Sequence, residues 1–330
     1  MKIHKLLIVF SFVSCSTRIG NINDNPHFVE PQNERSVVCE RIDVDPAFIG
    51  GFLMRTIDDS SAVVRYFGAD HLLARVSFSN GAVTPIMFVG RGPGEMMDAN
   101  FASGGYISDD GSILIDLYDT NGSVMKTLDV CKSELSGFGV VTNERKIPGN
   151  SWVVLANRDK LCCKVILDDA GYSYQIFNDG GLLEKKFQIW ELADVTELNN
   201  YMSSADCMKP DGSKIALCYC NLDKISIISL DRDKHNCIVT DKEWLKKDDL
   251  AEMRKQSSTG EGQNYYLYSC CDNEKIYALR FPGNEIRVFD WGGNYLERLS
   301  LDKNLICISV SANGNIYGTT MEDEFYQIVI

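Results

Sequence analysis

Short runs in which apolar and polar residues alternate recur along the chain from about residue 37 onward. Examples are residues 62–67, 112–117, 224–230 and 285–289, which are rich in β-branched and aromatic side chains. Asn-Gly and Asp-Gly pairs lie between such runs, and glycine there supplies the positive φ that tight hairpins require. The pattern predicts consecutive antiparallel strands joined by short turns, and therefore an all-β fold.

The turns recur at a nearly constant interval of about 50 residues. One series of turns falls near Ser60, Asp110, Lys160, Asp211, Asn273 and Asn313. A second series, near Ala69, Asn121, Ala170, Leu222, Gly283 and Asp323, repeats the same spacing. One interval in each series is longer, and there Thr240-Asp-Lys-Glu243 matches a capping box that predicts a helical insertion over residues 241–256. A repeat of about 50 residues with four strands is typical of a propeller blade.

The two ends of the chain complement each other in this pattern. Six repeats are visible, and the sixth has strands only at residues 305–310, 315–320 and 325–330. An additional strand at residues 36–44 precedes the first full repeat. If this strand joined the last blade, the ring would close and no unpaired edge would be left. We therefore predict one domain over residues 36–330, a six-bladed β-propeller of four-stranded antiparallel blades.

Three sequence segments carry a resemblance to a known family. They are the loop Gly90-Arg-Gly-Pro-Gly-Glu95, the pair of strands over residues 275–279 and 285–294, and Asn315-Ile-Tyr317. With these segments the chain resembles the TolB-like six-bladed β-propeller lipoproteins of Bacteroidetes, over nearly its whole mature length. The resemblance implies the propeller fold and export from the cytoplasm. It implies no particular activity.

The first fifteen residues have the features of a bacterial lipoprotein signal peptide. Lysines precede an apolar run at residues 6–13, which is too short to span a bilayer, and Ser14-Cys15 follows it. We interpret residues 1–15 as a signal peptide with a lipobox, Cys15 as the lipidated residue, and the polar residues 16–35 as a flexible tether. The alternative is a chance cysteine after an N-terminal strand. Ser16 favours the outer membrane, and the periplasmic and surface faces both stay open.

Charge and cysteine content restrict the partners further. The formal net charge is −13 and no cluster of Lys and Arg occurs, so the sequence argues against binding to nucleic acid. Eleven cysteines follow Cys15, and adjacent pairs such as Cys162-Cys163 point to opposite faces of a strand. We expect buried free thiols more than disulfides or a zinc site. We also expect a monomer that contacts the membrane only through its lipid.

Two groups of residues are candidates for ligand binding. The loop around Arg91 and Glu95 lacks the Gly-Lys-Ser/Thr end of a phosphate-binding loop and no helix follows it, so we predict a connector between blades. Arg91 and Glu95 could contact a ligand there, or pair with each other. Tyr266 and Tyr268 lie on an innermost strand, where alternation would place them on one face. They could stack against a sugar or an apolar ligand, or pack between blades.

The sequence favours a binding or interaction scaffold that recognises a protein or a glycan, with no catalytic residue, metal or cofactor assigned. His27, His71 and His235 lie in separate repeats or outside them, and no hydrolase motif is present. The alternative is an enzyme of the propeller hydrolase or lactonase type with an ion in the central channel. Its oxygen ligands would be the side chains of Asp206, Asn100 and Asn157.

Overall fold

The computed structural model describes residues 19–21, 26–45, 51–66, 70–166, 172–189, 203–232, 234–260 and 262–330. Over these residues the fold is all-β and propeller-like, with two short α-helices. Four sheets contain five strands each, and a further sheet contains eight. The whole predicted signal peptide, residues 1–15 with Cys15, lies outside the described residues.

The N-terminal segment contributes three strands to three different sheets. They are β1 (Ile19–Asn21), β2 (His27–Phe28) and β3 (Asn33–Ile42). The first two lie at the edges of their sheets, parallel to β17 and β21, and the beginning of the third lies parallel to β25 inside the eight-stranded sheet. Described parts of the predicted tether at residues 16–35 are therefore paired with strands of three sheets.

The first two sheets come from consecutive stretches of the chain. The first contains β4 (Gly51–Thr56), β5 (Ser61–Tyr66), β6 (His71–Ser77), β7 (Val83–Val89) and β8 (Glu95–Met96). The second contains β9 (Asn100–Phe101), β10 (Tyr106–Ile107), β11 (Ile113–Asp119), β12 (Val124–Asp129) and β13 (Val141–Lys146). Helix α1 (Val130–Ser136) connects the last two of these strands; Asp129 caps its start and Gly137, with φ of 72°, ends it.

The third and fourth sheets are antiparallel four-stranded units, and each gains one N-terminal strand. The third contains β14 (Ser151–Ala156), β15 (Lys160–Ile166), β16 (Tyr172–Asn178) and β17 (Leu183–Gln188), with β1 beside β17. The fourth contains β18 (Ser204–Met208), β19 (Lys214–Tyr219), β20 (Ile225–Ser229) and β21 (His235–Val239), with β2 beside β21.

The predicted helical insertion is present as two pieces. A 3-10 helix spans Lys242–Lys246, and helix α2 spans Asp249–Thr259. Their N-caps are Asp241 and Asp248, whose side chains accept backbone N–H groups. The predicted capping box is therefore wrong in detail, because the hydroxyl of Thr240 instead donates to Asp223 at 2.7 Å.

The eight-stranded sheet contains the last strands of the chain together with the N-terminal strand β3. Its strands are β22 (Tyr266–Cys271), β23 (Lys275–Arg280), β24 (Glu285–Asp290), β25 (Tyr295–Leu301), β26 (Cys307–Val310), β27 (Ile316–Thr319), β28 (Phe325–Val329) and β3. The second half of β3 pairs antiparallel with β28, from Val38 opposite Val329 to Ile42 opposite Phe325. The predicted pairing between the N-terminal strand and the last repeat is therefore observed.

The same strand also accounts for a difference from the predicted architecture. The first half of β3 pairs in parallel with β25, from Asn33 opposite Glu297 to Val37 opposite Leu301. Because β3 is ten residues long, each half can pair with a different neighbour. The expected fifth and sixth blades consequently appear as one continuous sheet rather than as separate blades.

The buried core lies between successive sheets. Separate apolar clusters join the first sheet to the second, the second to the third, and the third to the fourth and to the β22–β25 half of the last sheet. Another cluster joins the β26–β28 half to the first sheet, through residues that include Met54, Val64, Cys307 and Phe325. All eleven cysteines after Cys15 are free thiols and eight are buried, as the sequence predicted.

Candidate functional site

The first strands of successive units lie next to one another. β4 neighbours β26, β26 neighbours β22, β22 neighbours β18, and β18 neighbours β14. Hydrogen bonds reinforce the junction of β4 with β26 and also connect β14 to the residue after β9. The backbone N–H of Thr56 donates to the hydroxyl of Ser309 at 2.9 Å, and that of Ala156 donates to the carbonyl of Ala102 at 2.8 Å. We call the region that these strands surround the centre.

Arg55 of β4 brings three sheets together at the centre. Its Nη1 donates to the hydroxyl of Tyr268 and to the carbonyl of Met54, the latter at 3.1 Å. The guanidinium carbon lies 5.5 Å from the centroid of the Phe101 ring and 5.2 Å from that of Tyr268. Aromatic faces at this distance attract a cation. The guanidinium of the first sheet is thus flanked by rings from the second and the last sheets.

No carboxylate in the described part of the chain lies within 4.0 Å of the Arg55 guanidinium. Burial by itself would lower the pKa of Arg55, but contacts with Tyr268 and the thiols of Cys307 and Cys270 raise it above its usual value. Burial raises the pKa of Tyr268, so its phenol stays neutral. The centre therefore holds a cation that no carboxylate of the described residues neutralises.

A second polar cluster joins the third sheet to the fourth. Lys164 donates to the hydroxyl of Ser204 at 2.9 Å and lies 3.8 Å from the Asp206 carboxylate. The hydroxyl of Tyr174 donates to Asp206 at 3.2 Å. Burial raises the pKa of Asp206, and the neighbouring Lys164 opposes that shift. Oδ1 of Asp206 is buried without a hydrogen-bond partner.

The three oxygen ligands proposed for a channel ion belong to separate networks. Asn100 accepts from Arg65 at 2.7 Å and donates to Asp98 at 2.8 Å. Asn157 accepts the N–H of Lys160 at 2.7 Å within its own turn. Asp206 belongs to the cluster with Lys164 described above. The residues that the structure describes contain no group of three or more His, Cys, Asp or Glu side chains placed to hold a metal ion.

The Gly90–Glu95 loop folds back on itself. Oε2 of Glu95 accepts the N–H of Gly92 at 2.7 Å, and a Cβ at Gly90 would overlap the Glu95 carboxylate. Lys126 donates to the Glu95 carbonyl at 2.9 Å. Beyond the loop, Glu95 and Met96 form β8, parallel to β7. The loop joins β7 to β8 at the edge of the first sheet and so forms the first part of the connector between the first and second sheets.

Arg91 and Glu95 do not pair with each other in the described structure, where Glu95 bonds within the loop and Arg91 is exposed. The connector lies at the outermost strand of the first sheet, away from the side chains around Arg55. Contact between Arg91 or Glu95 and a ligand stays a prediction.

Tyr266 and Tyr268 do not share a face, contrary to the expectation from simple alternation. The register between β22 and β23 shifts between these two residues, which marks a β-bulge. Tyr266 is buried among the residues that join the third and fourth sheets to β22–β25, and its hydroxyl accepts from Arg287 at 3.3 Å. Tyr268 instead contacts Arg55 at the centre.

The interface between the fourth sheet and β22–β25 has a different charge arrangement. Asp223 is buried and accepts from Arg280 at 3.1 Å and from Arg287 at 3.2 Å. It also accepts from the hydroxyl and the N–H of Thr240. Glu285 lies 2.6 Å from Arg287. This network connects the loop after β19 to β23, β24 and the start of the helical insertion.

No protein-family model matches the chain, and no curated protein matches it. A member of the DUF4221 family from Bacteroides vulgatus is similar in structure, with a TM-score of 0.56 and 10% identity over 89% of this chain and 96% of that chain. A candidate exported protein from Bacteroides fragilis gives a TM-score of 0.53 and 11% identity over 89% of this chain and 95% of that chain. The fold they share is propeller-like.

Chaetomium thermophilum Raptor is also similar, with a TM-score of 0.51 and 10% identity over 88% of this chain but only 28% of Raptor. At these identities the likeness concerns the fold alone, and one fold can carry unrelated functions. Within the described residues no helix is long and apolar enough to cross a membrane.

Proposed function

We propose that the protein is an exported lipoprotein whose six-bladed propeller is a non-catalytic scaffold for binding a protein or a glycan. The observation that carries the binding function is the commitment of Asp206, Asn100 and Asn157 to three separate networks. Side chains that could have held a shared ion for catalysis are occupied in holding sheets and turns together. A rigid frame of this kind presents its loops for recognition.

The packing between the first strands supports dividing the eight-stranded sheet into two blades, which gives six blades in total. Each half of the eight-stranded sheet has its own first strand, β22 or β26, and those strands neighbour each other as β22 and β18 do. Assigning β25 to one blade and the second half of β3 to the next gives each half four antiparallel strands. The parallel pairing of β3 with β25 then corresponds to that of β2 with β21 and of β1 with β17.

The proposed anchor would hold the propeller close to the membrane. Three residues lie between Cys15 and Ile19, the first residue of β1, and the four extended steps between these two residues span at most about 14 Å. β1 lies beside β17, so the lipid would be near the outer edge of the third sheet. Labelling cells with radioactive palmitate tests the anchor. We expect label in the wild-type protein and none in the Cys15→Ser variant, and equal labelling would contradict it.

Binding is tested by applying the purified protein to a glycan array and by crosslinking it to neighbours in intact cells. We expect saturable binding to one group of glycans, or one dominant crosslinked partner that is lost when purified propeller competes. If neither appears while the protein is folded, the scaffold function is wrong.

The second candidate function is an enzyme with an ion at the centre, and one observation favours it. Oδ1 of Asp206 is buried and unpartnered, and such an oxygen could complete an ion site. Metal analysis of the purified protein separates the two functions. A stoichiometric ion that is lost in the Asp206→Asn variant would support the enzyme and contradict the scaffold.

A further inference from the structure

We infer that the centre binds a small molecule with a single carboxylate, and that Arg55 is the residue that binds it. This inference rests on the proposed binding function and specifies its ligand. It begins from the hydrogen bonds of the guanidinium. Both protein acceptors, the Met54 carbonyl and the Tyr268 hydroxyl, are bonded to Nη1.

The other edge of the guanidinium is free to bind a ligand. Nε and Nη2 of Arg55 have no hydrogen-bond partner among the described residues, and neither atom is among the buried atoms that lack one. Each of these two atoms therefore keeps at least a small solvent-exposed area, and its hydrogen-bonding capacity is unused by the described residues. Nε and Nη2 form one of the parallel pairs of donors that match the two oxygens of a carboxylate.

The charge of the Arg55 guanidinium also favours the binding of an anion. Two other cations of the first and third sheets are paired with carboxylates, Arg65 with Asp98 at 2.6 Å and Lys164 with Asp206 at 3.8 Å. Arg55 has no such carboxylate among the described residues, in a chain of formal net charge −13. A cation that is partly removed from water is costly unless an anion compensates it. A carboxylate at Nε and Nη2 would supply that charge.

The surroundings restrict the chemical class of the ligand. Rings of Phe101 and Tyr268 flank the guanidinium, so the part of the ligand next to its carboxylate meets aromatic surface. The excess of acidic residues over the whole chain repels ligands with several negative charges. A carboxylate of this kind could come from a sugar acid or from a simple organic acid.

Isothermal titration of the purified full-length protein with D-glucuronate and with lactate tests the inference, and D-glucose serves as the neutral control. We expect saturable binding of at least one of the two acids and at least tenfold weaker binding of D-glucose. Arg55→Met should weaken binding of the acid at least tenfold. Arg158→Met removes an exposed arginine that pairs with Asp109, and it should leave the affinity unchanged.

The two acids distinguish the sources of the carboxylate. Binding of D-glucuronate without lactate identifies a sugar acid, and equal binding of both identifies a general carboxylate site. If Arg55→Met fails to fold, Arg55→Lys keeps the charge but lacks the paired donors, and it should weaken binding at least fivefold.

The inference is overturned if neither acid binds the folded wild-type protein, if D-glucose binds as tightly as D-glucuronate, or if Arg55→Met binds as well as wild type. A protein that binds neutral glycans on the array, with equal affinity in wild type and Arg55→Met, would retain the scaffold function while excluding the carboxylate site. If the folded protein bound nothing on the array and neither acid in the titration, the glycan-binding scaffold function and the carboxylate site would both be rejected.

Discussion

Arg55 at the centre and Arg287 beside the fourth sheet differ in how their charge is compensated. Both contact a tyrosine of β22, Tyr268 for Arg55 and Tyr266 for Arg287. Arg287, however, also contacts the carboxylates of Asp223 and Glu285. Arg55 has aromatic rings and a backbone carbonyl but no carboxylate in the described structure.

The comparison separates arginines that hold the fold together from one that is available to a ligand. Asp223 joins a loop, two strands and the helical insertion, so its arginines have a structural function that the protein itself satisfies. The bonds of Arg55 use one edge of the guanidinium and leave its charge uncompensated. The same residue type beside the same strand can therefore serve stability in one case and binding in the other.

The largest effect on stability is expected from Asp223→Ala. This change leaves Arg280 and Arg287 without their shared carboxylate, and breaking a buried ion pair from one side costs about 3–5 kcal/mol. Urea unfolding measures the loss. Glu30→Ala, which removes an exposed partner of Lys242, is the control and should cost less than about 1 kcal/mol. Equal losses in the two variants would show that the ion pairs of Asp223 do not stabilise the fold more than an exposed ion pair does.

Paired substitutions of the two arginines test the comparison directly. Arg287→Met leaves the buried Asp223 with one fewer partner and should lower the free energy of unfolding by about 2–4 kcal/mol. Arg55→Met removes an uncompensated charge and should change it by less than about 1 kcal/mol, in either direction. Urea unfolding of both variants at the same ionic strength checks this. The opposite order of effects would assign the structural function to Arg55.

A smaller effect is expected in the pH dependence of stability. Burial raises the pKa of Asp206 despite Lys164, so the folded protein holds this proton above pH of about 4, where the unfolded chain has released it. The stability contributed by Asp206 therefore falls as the pH rises through that window. In Asp206→Asn, unfolding free energies measured from pH 4 to 7 should fall less steeply than in wild type.

Asp290 provides a control of opposite sign. Burial would raise the pKa of Asp290, but hydrogen bonds from Asn294 and from the N–H groups of its turn lower it. Its contribution is present above pH of about 4 and is lost as the pH falls. Asp290→Asn should reduce the loss of stability in acid. Matching pH profiles for the two variants would show that burial does not set the pKa of Asp206.

The smallest effect is expected where β3 pairs with β25 in the eight-stranded sheet. Glu34 on β3 pairs with Arg298 on β25 at 3.3 Å, and both side chains are about half exposed. Glu34→Ala should therefore cost no more than about 1 kcal/mol in urea unfolding. A loss above 2 kcal/mol would mean that this pair contributes more to the pairing of β3 with β25 than an exposed ion pair can.

Local sequence chemistry predicted the repeat well. The turns at Asp211 and Asn313 lie between the first and second strands of their units, as expected, and the turn at Asp110 lies between β10 and β11. These positions are predictable because Asn, Asp and Gly favour turns through contacts within a few residues. The pairing of β3 with β28 followed from the need to remove a free edge, which is also a general rule.

Features that depend on distant residues could not be predicted. The hydroxyl of Thr240 bonds Asp223 instead of capping a helix, because the chain brings Asp223 to it from another loop. The bulge between Tyr266 and Tyr268 depends on pairing with β23. Arg55 belongs to none of the sequence motifs described above. Only the arrangement of Phe101 and Tyr268 around it shows that it lies at the centre.

The most direct test of the account is a crystal structure of the protein grown with D-glucuronate. We expect the ligand carboxylate within hydrogen-bonding distance of Nε and Nη2 of Arg55, with Arg287 still bound to Asp223. Density for the ligand only at the outer loops, or a protein carboxylate occupying that edge of Arg55, would contradict the assignment of Arg55 as the ligand-binding arginine.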